Sequence, residues 1–393
     1  MKRFVYADNA ATTPVLPEVR EVMMPFFGEI YGNPSSAYGK GAEAAAPLAK
    51  ARETIATLLG AKPTEIFFTA SGSEADNWAI KGVASSQKAK GKHIITTKFE
   101  HHAVLHAMES LERDGYEVTY LDVNQNGVVD PADVEKAIRE DTILISVMLA
   151  NNEIGTIQPL KEIAAIGKAH GVTVFTDAVQ AVGNIPVNVK ELGVDMLAFS
   201  GHKLHAPKGI GVLYIRTGVR VRTLIDGGGQ ERGRRGGTEN VAFAVGLARA
   251  LEIATARLPE MARVKAMRDR LMAGLLDKIP YSRVNGDVEK RLDGNLNIGF
   301  EFVEGESLLM WLDASGICAS TGSACNSASL EPSHVLLSIG VPHEKAHGSL
   351  RFTLSHENTE EDVDYILATL PPIVQRLRDM SPLYDSTMAR IKE

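Results

Sequence analysis

Short apolar runs rich in β-branched and aromatic residues recur along the chain, at 66–69, 93–97, 117–122, 143–148, 172–176, 196–199 and 211–215. Each is shorter than a helix needs, and most carry little polar interruption. This predicts strands buried on both faces, as in a parallel sheet. The segments between them carry helical spacing, as at 74–85, 132–138 and 160–170. Alternation of this kind predicts an α/β fold, with a large, mostly parallel sheet domain flanked by helices. After Gly237 the rhythm changes. Two long helical stretches, 241–256 and 259–279, lead into strand-like segments at 295–300 and 350–354 and a helix over 360–377. That order predicts a smaller α+β C-terminal domain. The expected division is a large domain over 16–258 and a small domain formed by 1–15 together with 259–393. No internal repeat or low-complexity linker breaks the pattern.

Ligands of parallel sheets bind at the carboxyl ends of the strands, so the residues that follow each run carry the chemistry. The run 172–176 is followed by Asp177 and then Gln180. The run ending at Phe199 is followed by Ser200-Gly201-His202-Lys203. A Lys, an Asp and a Gln are thereby delivered to one rim. A buried lysine amine that sheds its proton can form a Schiff base with an aldehyde. A strand-end carboxylate suits a protonated pyridine nitrogen. Together these point to pyridoxal 5'-phosphate, whose protein partners are a Schiff-base Lys and an acidic residue at the ring nitrogen. Each residue also has an ordinary reading: most lysines are solvated, and an Asp at a strand end often caps the next helix.

Thr69-Ala70-Ser71-Gly72-Ser73-Glu74 follows a strand and opens a helix. Its small residues let backbone N–H groups approach an anion at a helix N-terminus. Gly72 and Ser73 are the candidate phosphate site, with Ser200 and His202 as further contacts; the alternative is a plain N-cap at Ser73. His101 and His102 follow the strand at 93–97, where an imidazole can stack on a pyridine ring and move protons or simply face solvent. Asn151-Asn152-Glu153 follows the strand at 143–148 and reads either as polar site residues or as a turn. Arg351 interrupts the apolar strand Leu350-Arg351-Phe352-Thr353-Leu354. It either binds a carboxylate bidentately or faces solvent. Cys325 lies in a small, polar stretch over 319–329 that reads as an exposed loop. An accessible thiol with thiolate character is a nucleophile; the alternative is an incidental thiol. Cys318 sits at an apolar–polar transition and reads as packed.

Composition narrows the classes. The formal net charge is -7 with no compensating basic block, which argues against a nucleic-acid partner. Arg232, Arg234 and Arg235 cluster, but within a Gly-rich loop. Two cysteines exclude a disulfide scaffold and fit a reducing compartment. No basic-then-apolar leader opens the sequence and no apolar run is long enough for a bilayer, so a soluble cytoplasmic protein without a membrane partner is expected.

Further motifs run nearly end to end. Ala7-Asp8-Asn9-Ala10-Ala11-Thr12-Thr13-Pro14 is followed by Gly32-Asn33-Pro34-Ser35-Ser36; Thr176-Asp177-Ala178-Val179-Gln180 by Ser200-Gly201-His202-Lys203 and Pro207-Lys208-Gly209; and Gly322-Ser323-Ala324-Cys325 by Leu330-Glu331-Pro332. Together they resemble the cysteine desulfurases of the NifS/IscS type, group I, within the fold-type I pyridoxal phosphate enzymes. The lysine motif alone resembles pyridoxal phosphate enzymes in general; the cysteine loop narrows the resemblance. It implies that Lys203 holds the cofactor and shuttles the substrate's α-proton, and that His101 stacks on the ring and helps move protons. Asp177 would pair with the ring nitrogen and Gln180 with the ring hydroxyl. Gly72, Ser73, Ser200 and His202 would bind the phosphate. Thr238 would reach the phosphate of a partner subunit, which implies a homodimer. Asn152 would contact the cofactor and, with Arg351, hold the substrate carboxylate. The implied reaction takes sulfur from L-cysteine as a persulfide on Cys325, releases L-alanine, and hands the sulfur to an acceptor or iron–sulfur scaffold protein. Ser73 stands where the family more often has Thr, and Ser355-His356-Glu357-Asn358 replaces a more usual Arg-containing continuation. Among competing readings, an aminotransferase needs no Cys325, a selenocysteine lyase would use the same residues, and a catalytically silent subunit needs neither Lys203 nor Cys325.

Overall fold

The structure is a computed structural model that describes residues 3–322, 331–382 and 384. After a short β1 (Val5–Tyr6), seven strands build the central sheet: β2 (Ile66–Thr69), β3 (His93–Thr97), β4 (Glu117–Leu121), β5 (Thr142–Ser146), β6 (Thr173–Asp177), β7 (Met196–Ser200) and β8 (Gly211–Ile215). Their spatial order is β2-β8-β7-β6-β5-β3-β4. All neighbours are parallel except at β8, which runs antiparallel to both β7 and β2. Two reversals restore direction, so the carboxyl end of β2 lies on the same rim as those of β6 and β7. That rim gathers Thr69, Asp177 and Ser200. Strands β2, β3, β5, β7 and β8 are buried along their whole length, while the edge strand β4 is largely half-exposed, as expected of an outer position.

The helix Gly72–Gln87 covers one face of this sheet. Ala75, Trp78, Ala79, Ile80 and Val83 form its buried stripe at helical spacing. They pack with Phe67, Ile94, Leu144, Phe175, Met196 and Leu213 from the strands. A larger apolar core on the other face includes Ile95, Ile145, Val174, Leu197 and Val212. The 21-residue helix Gly39–Leu59 belongs to that core and was not foreseen from the pattern. Its buried face is built largely of small residues (Gly41, Ala44, Ala51, Ala56), and Pro47 lies inside it. Both features blur the periodic signal.

Beyond the long helices Val241–Ala256 and Met261–Lys278, a three-stranded antiparallel sheet forms from β9 (Ser282–Val284), β10 (Asn295–Phe300) and β12 (Ser349–Thr353), in the order β12-β10-β9. Its core includes Met261, Val264, Leu271, Leu296, Leu350, Phe352, Ile366 and Leu370, and it also takes Val5 and Ala7. The N-terminus enters it because β1 pairs in parallel with β11 (Ile317–Cys318). This carries residues 8–13 from the small sheet across to the rim of the large one. No helix among the described residues is long and apolar enough to cross a membrane.

Candidate active site

The carboxyl rim of the large sheet and the near edge of the small one enclose a cavity of about 160 Å³. Lys203 lines it from a single 3-10 turn, Gly201–Lys203, directly after β7. Its Nζ donates to the backbone oxygens of Ala10 at 2.6 Å and Ala11 at 2.7 Å. Gln180 Nε2 donates to the same Ala10 oxygen at 3.1 Å. The N-terminal segment thus gathers the lysine and the glutamine. Asp177 ends β6 at the cavity wall, and its Oδ1 accepts from the Val179 N–H at 2.8 Å. Burial pushes this carboxyl up from its ordinary range, against the pull of that N–H and of the Lys203 ammonium.

The helix Gly72–Gln87 opens onto the cavity. Its cap is Ser71, whose Oγ accepts from the Glu74 N–H at 3.1 Å, so the N-cap reading of Ser73 is corrected and the helix begins two residues earlier than predicted. Gly72 and Ser73 therefore stand in the first turn, where backbone N–H groups lack helical acceptors. Both line the cavity. A side chain at 72 would intrude, since its Cβ would lie 2.9 Å from Val179 Cγ2 and 3.4 Å from Ser200 Cβ. Ser200 and His202 complete this end, and His202 Nδ1 sits 3.1 Å from Thr12 Oγ1. Burial, helped by Lys203, brings the His202 pKa down to about 4.

His101 forms another wall. It caps the helix His102–Arg113, its Nδ1 accepting from the Ala103 N–H at 3.1 Å. An acceptor Nδ1 puts the ring proton on Nε2. Burial and then Lys203 hold its pKa down to about 4, so the ring is neutral near pH 7. His102 instead stacks against His334, with ring centroids 4.6 Å apart, and does not line the cavity.

The two asparagines separate. Asn151 is the turn residue: its Oδ1 accepts from the N–H groups of Glu153 and Ile154, and its Nδ2 donates to Phe99 O. Asn152 lines the cavity, and its Oδ1 is buried without a partner among the described residues. Arg351 is 1% exposed, which removes the solvent-facing alternative. It donates to Asp8 Oδ1 at 2.8 Å and to Asn152 O at 2.9 Å, while its buried Nε has no partner among the described residues. Asp8 also accepts from Ser320 Oγ at 3.1 Å, and Ser320 pairs with Arg351 through the backbone.

Two predicted positions stand apart. Cys325 lies outside the described residues. Thr238 is exposed and does not line the cavity. Its loop is fastened to two helices by ion pairs: Arg235 to Glu74 of the helix Gly72–Gln87 at 2.8 Å, and the buried Glu231 bidentately to Arg52 of the helix Gly39–Leu59 at 2.7 and 2.8 Å. Residues missed from the sequence are Asp8, which orients Arg351, and Asp76, a buried acid in the cavity wall. Asp8 was signalled only by its place in an N-terminal motif; Asp76, in the middle of a helix, gave no signal.

An amine, a floor carboxylate, a helix N-terminus free of side-chain bulk, a neutral imidazole and a buried guanidinium thus face one space. The set complements an aldehyde carrying a ring nitrogen and a phosphate, together with a second molecule that bears a carboxylate.

The family model described as Aminotransferase class-V matches residues 5–366. The chain is 57% identical over 380 residues to "Cysteine desulfurase IscS" of Methanosarcina thermophila, covering 96% of this chain and 94% of that one. A solved "NifS-like protein" superposes with a TM-score of 0.90 at 43% identity, covering 95% of this chain and 100% of the other. "SspA in complex with cysteine" superposes at 0.79 with 36% identity, covering 89% and 98%.

Proposed function

This chain belongs to the class-V aminotransferase family, and from that premise we propose that it is a cysteine desulfurase. It uses pyridoxal 5'-phosphate to convert L-cysteine to L-alanine and leaves the sulfur as a persulfide on Cys325. The observation that carries this reading is the convergence of Lys203, Asp177 and Arg351, from three separate segments, on one cavity.

The residues present fit the cofactor. The Gly72 end has room only without a Cβ, and the N–H groups of the first helical turn suit a phosphate there, with Ser73, Ser200 and His202 beside them. Asp177 would meet the ring nitrogen, Gln180 the ring hydroxyl, Asn152 the ring's other edge, and His101 would stack on its face. Lys203 would hold the cofactor covalently until substrate takes its place. When bound, the cofactor serves as an electron sink for bond changes at the substrate's α-carbon.

The protein's own groups supply the rest. Arg351, kept in place by Asp8, binds the substrate carboxylate with Asn152. Lys203, once released, moves the α-proton. The neutral His101 presents its Nε2 proton for transfer. The Cys325 thiolate attacks the substrate sulfur. The Cβ–S bond breaks with its electron pair going to the three-carbon fragment, which is protonated and leaves as alanine. The sulfur stays on Cys325 as a persulfide, from which an acceptor protein takes it for iron–sulfur cluster assembly. Thr238 serves the phosphate of a second subunit, which makes the working unit a homodimer. The low cysteine content suits a reducing cytoplasm. The test is product analysis on the purified chain with pyridoxal phosphate and L-cysteine. With a thiol reductant present to reduce the persulfide, alanine and sulfide should form together and be abolished by Lys203→Ala. Pyruvate or an oxo acid in place of alanine would sink the desulfurase reading.

A further inference from the structure

Asp76 lines the same cavity, one helical turn along from Gly72 and Ser73, and is 1% exposed. Its Oδ1 is buried with no hydrogen-bond partner among the described residues. An ionised carboxylate buried without donor or cation is strongly disfavoured, and such a group keeps its proton. The facing groups sharpen this. Asp177 comes from β6, and Glu100, after β3, is fully buried, its Oε1 accepting from Thr97 Oγ1 and the Met148 N–H and its Oε2 without a partner among the described residues. Lys203 contributes the ammonium, while burial keeps His101 and His202 neutral. Arg351 is committed to Asp8. Beside Arg351, the described residues of the cavity wall include one cation, Lys203, and two carboxyls, Asp76 and Asp177, with the buried Glu100 close enough to repel Asp76. Among the described residues, Asp177 accepts a backbone N–H and Asp76 accepts none. Burial first, then Asp177 and Glu100, push the Asp76 carboxyl well above its ordinary range.

We propose that Asp76 is a positioning residue that stays protonated at neutral pH, so that the Asp76–Asp177 pair carries a single negative charge, fixed on Asp177 where the cofactor's ring nitrogen binds. The ring-nitrogen part rests on the cysteine desulfurase assignment. A second charge in that wall would raise the proton affinity of every basic group in the cavity. Lys203 would then be held as its unreactive ammonium.

The test uses Asp76→Asn, which keeps the shape and removes the proton. Infrared spectra of the holoenzyme near pH 7 should show a neutral-carboxyl carbonyl band that Asp76→Asn lacks. In the full chain without cofactor, a proton held by the folded state is released on unfolding, so stability falls as pH rises. The unfolding constant of wild type should therefore rise about tenfold per pH unit relative to Asp76→Asn as pH rises from about 5 to neutral. Should the asparagine variant fail to fold, Asp76→Ala gives the same comparison. A difference in stability that does not vary with pH, with no band lost, would overturn the proposal and leave Asp76 a packing residue. Visible titration with pyridoxal phosphate separates the two claims: failure of wild type to bind the cofactor defeats the desulfurase assignment, whatever the carboxyl band shows.

Discussion

Replacing Gly72 by alanine probes the phosphate end of the cavity directly. The added methyl would stand 2.9 Å from Val179 Cγ2 and 3.4 Å from Ser200 Cβ. Ordinary carbon contacts lie at about 3.5–4.0 Å, so Val179 must give way. In the free protein it can turn toward the open cavity. With the cofactor bound that space is filled, and the strain falls on the complex. Overpacking of this size costs about 1–3 kcal/mol, which converts to a loss of about 5- to 150-fold in affinity. The free protein should lose little, because only the Val179 side chain has to move. The assay is spectrophotometric titration with pyridoxal phosphate and, separately, with pyridoxal, which lacks the phosphate. Gly72→Ala should weaken the phosphorylated compound selectively. Equal weakening of both, or unchanged affinity for pyridoxal phosphate, would refute the placement of the phosphate.

Three further outcomes follow from the contacts. Arg351→Lys replaces a planar fork with a point charge, so KM for L-cysteine should rise about 10- to 100-fold with kcat little changed; an unchanged KM removes Arg351 from substrate binding. Arg52→Ala strips the bidentate partner from Glu231, whose side chain is 2% exposed, and should cost about 3–5 kcal/mol in chemical denaturation; a loss below about 1 kcal/mol would mean that Glu231 finds another partner. Burial holds the His101 pKa at about 4, below its unfolded value of about 6.5, so the folded state binds fewer protons in that window and stability is lost as pH falls through it. His101→Gln should therefore lose less stability than wild type between about pH 6.5 and about pH 4, and identical acid profiles would contradict the buried neutral imidazole.

The sheet was legible because its strands are uninterrupted apolar runs, and strand ends in such folds carry function. That logic reached Asp177, Ser200, His202 and Lys203 without any contact information. It reached Arg351 only as an even choice, since one charge in an apolar strand has two explanations until its neighbours are known. Asp8 and the Asn152 carbonyl resolve it, and Asp8 lies more than 300 residues away in sequence. Asn151 and Asn152 look alike in the sequence, and only the turn geometry assigns one to structure and the other to the cavity. Asp76 sits in a stretch that reads as an ordinary helix surface; its burial depends on how closely that helix lies on β6, which no local pattern encodes.

The most direct test of the proposed chemistry is mass spectrometry of the intact protein after L-cysteine is added without reductant, on wild type and on Cys325→Ala. The expected result is a mass gain of about one sulfur, or a whole number of them, on wild type and none on the variant. A wild type that turns over cysteine yet gains no sulfur, or a Cys325→Ala variant that gains as much, would contradict Cys325 as the sulfur carrier.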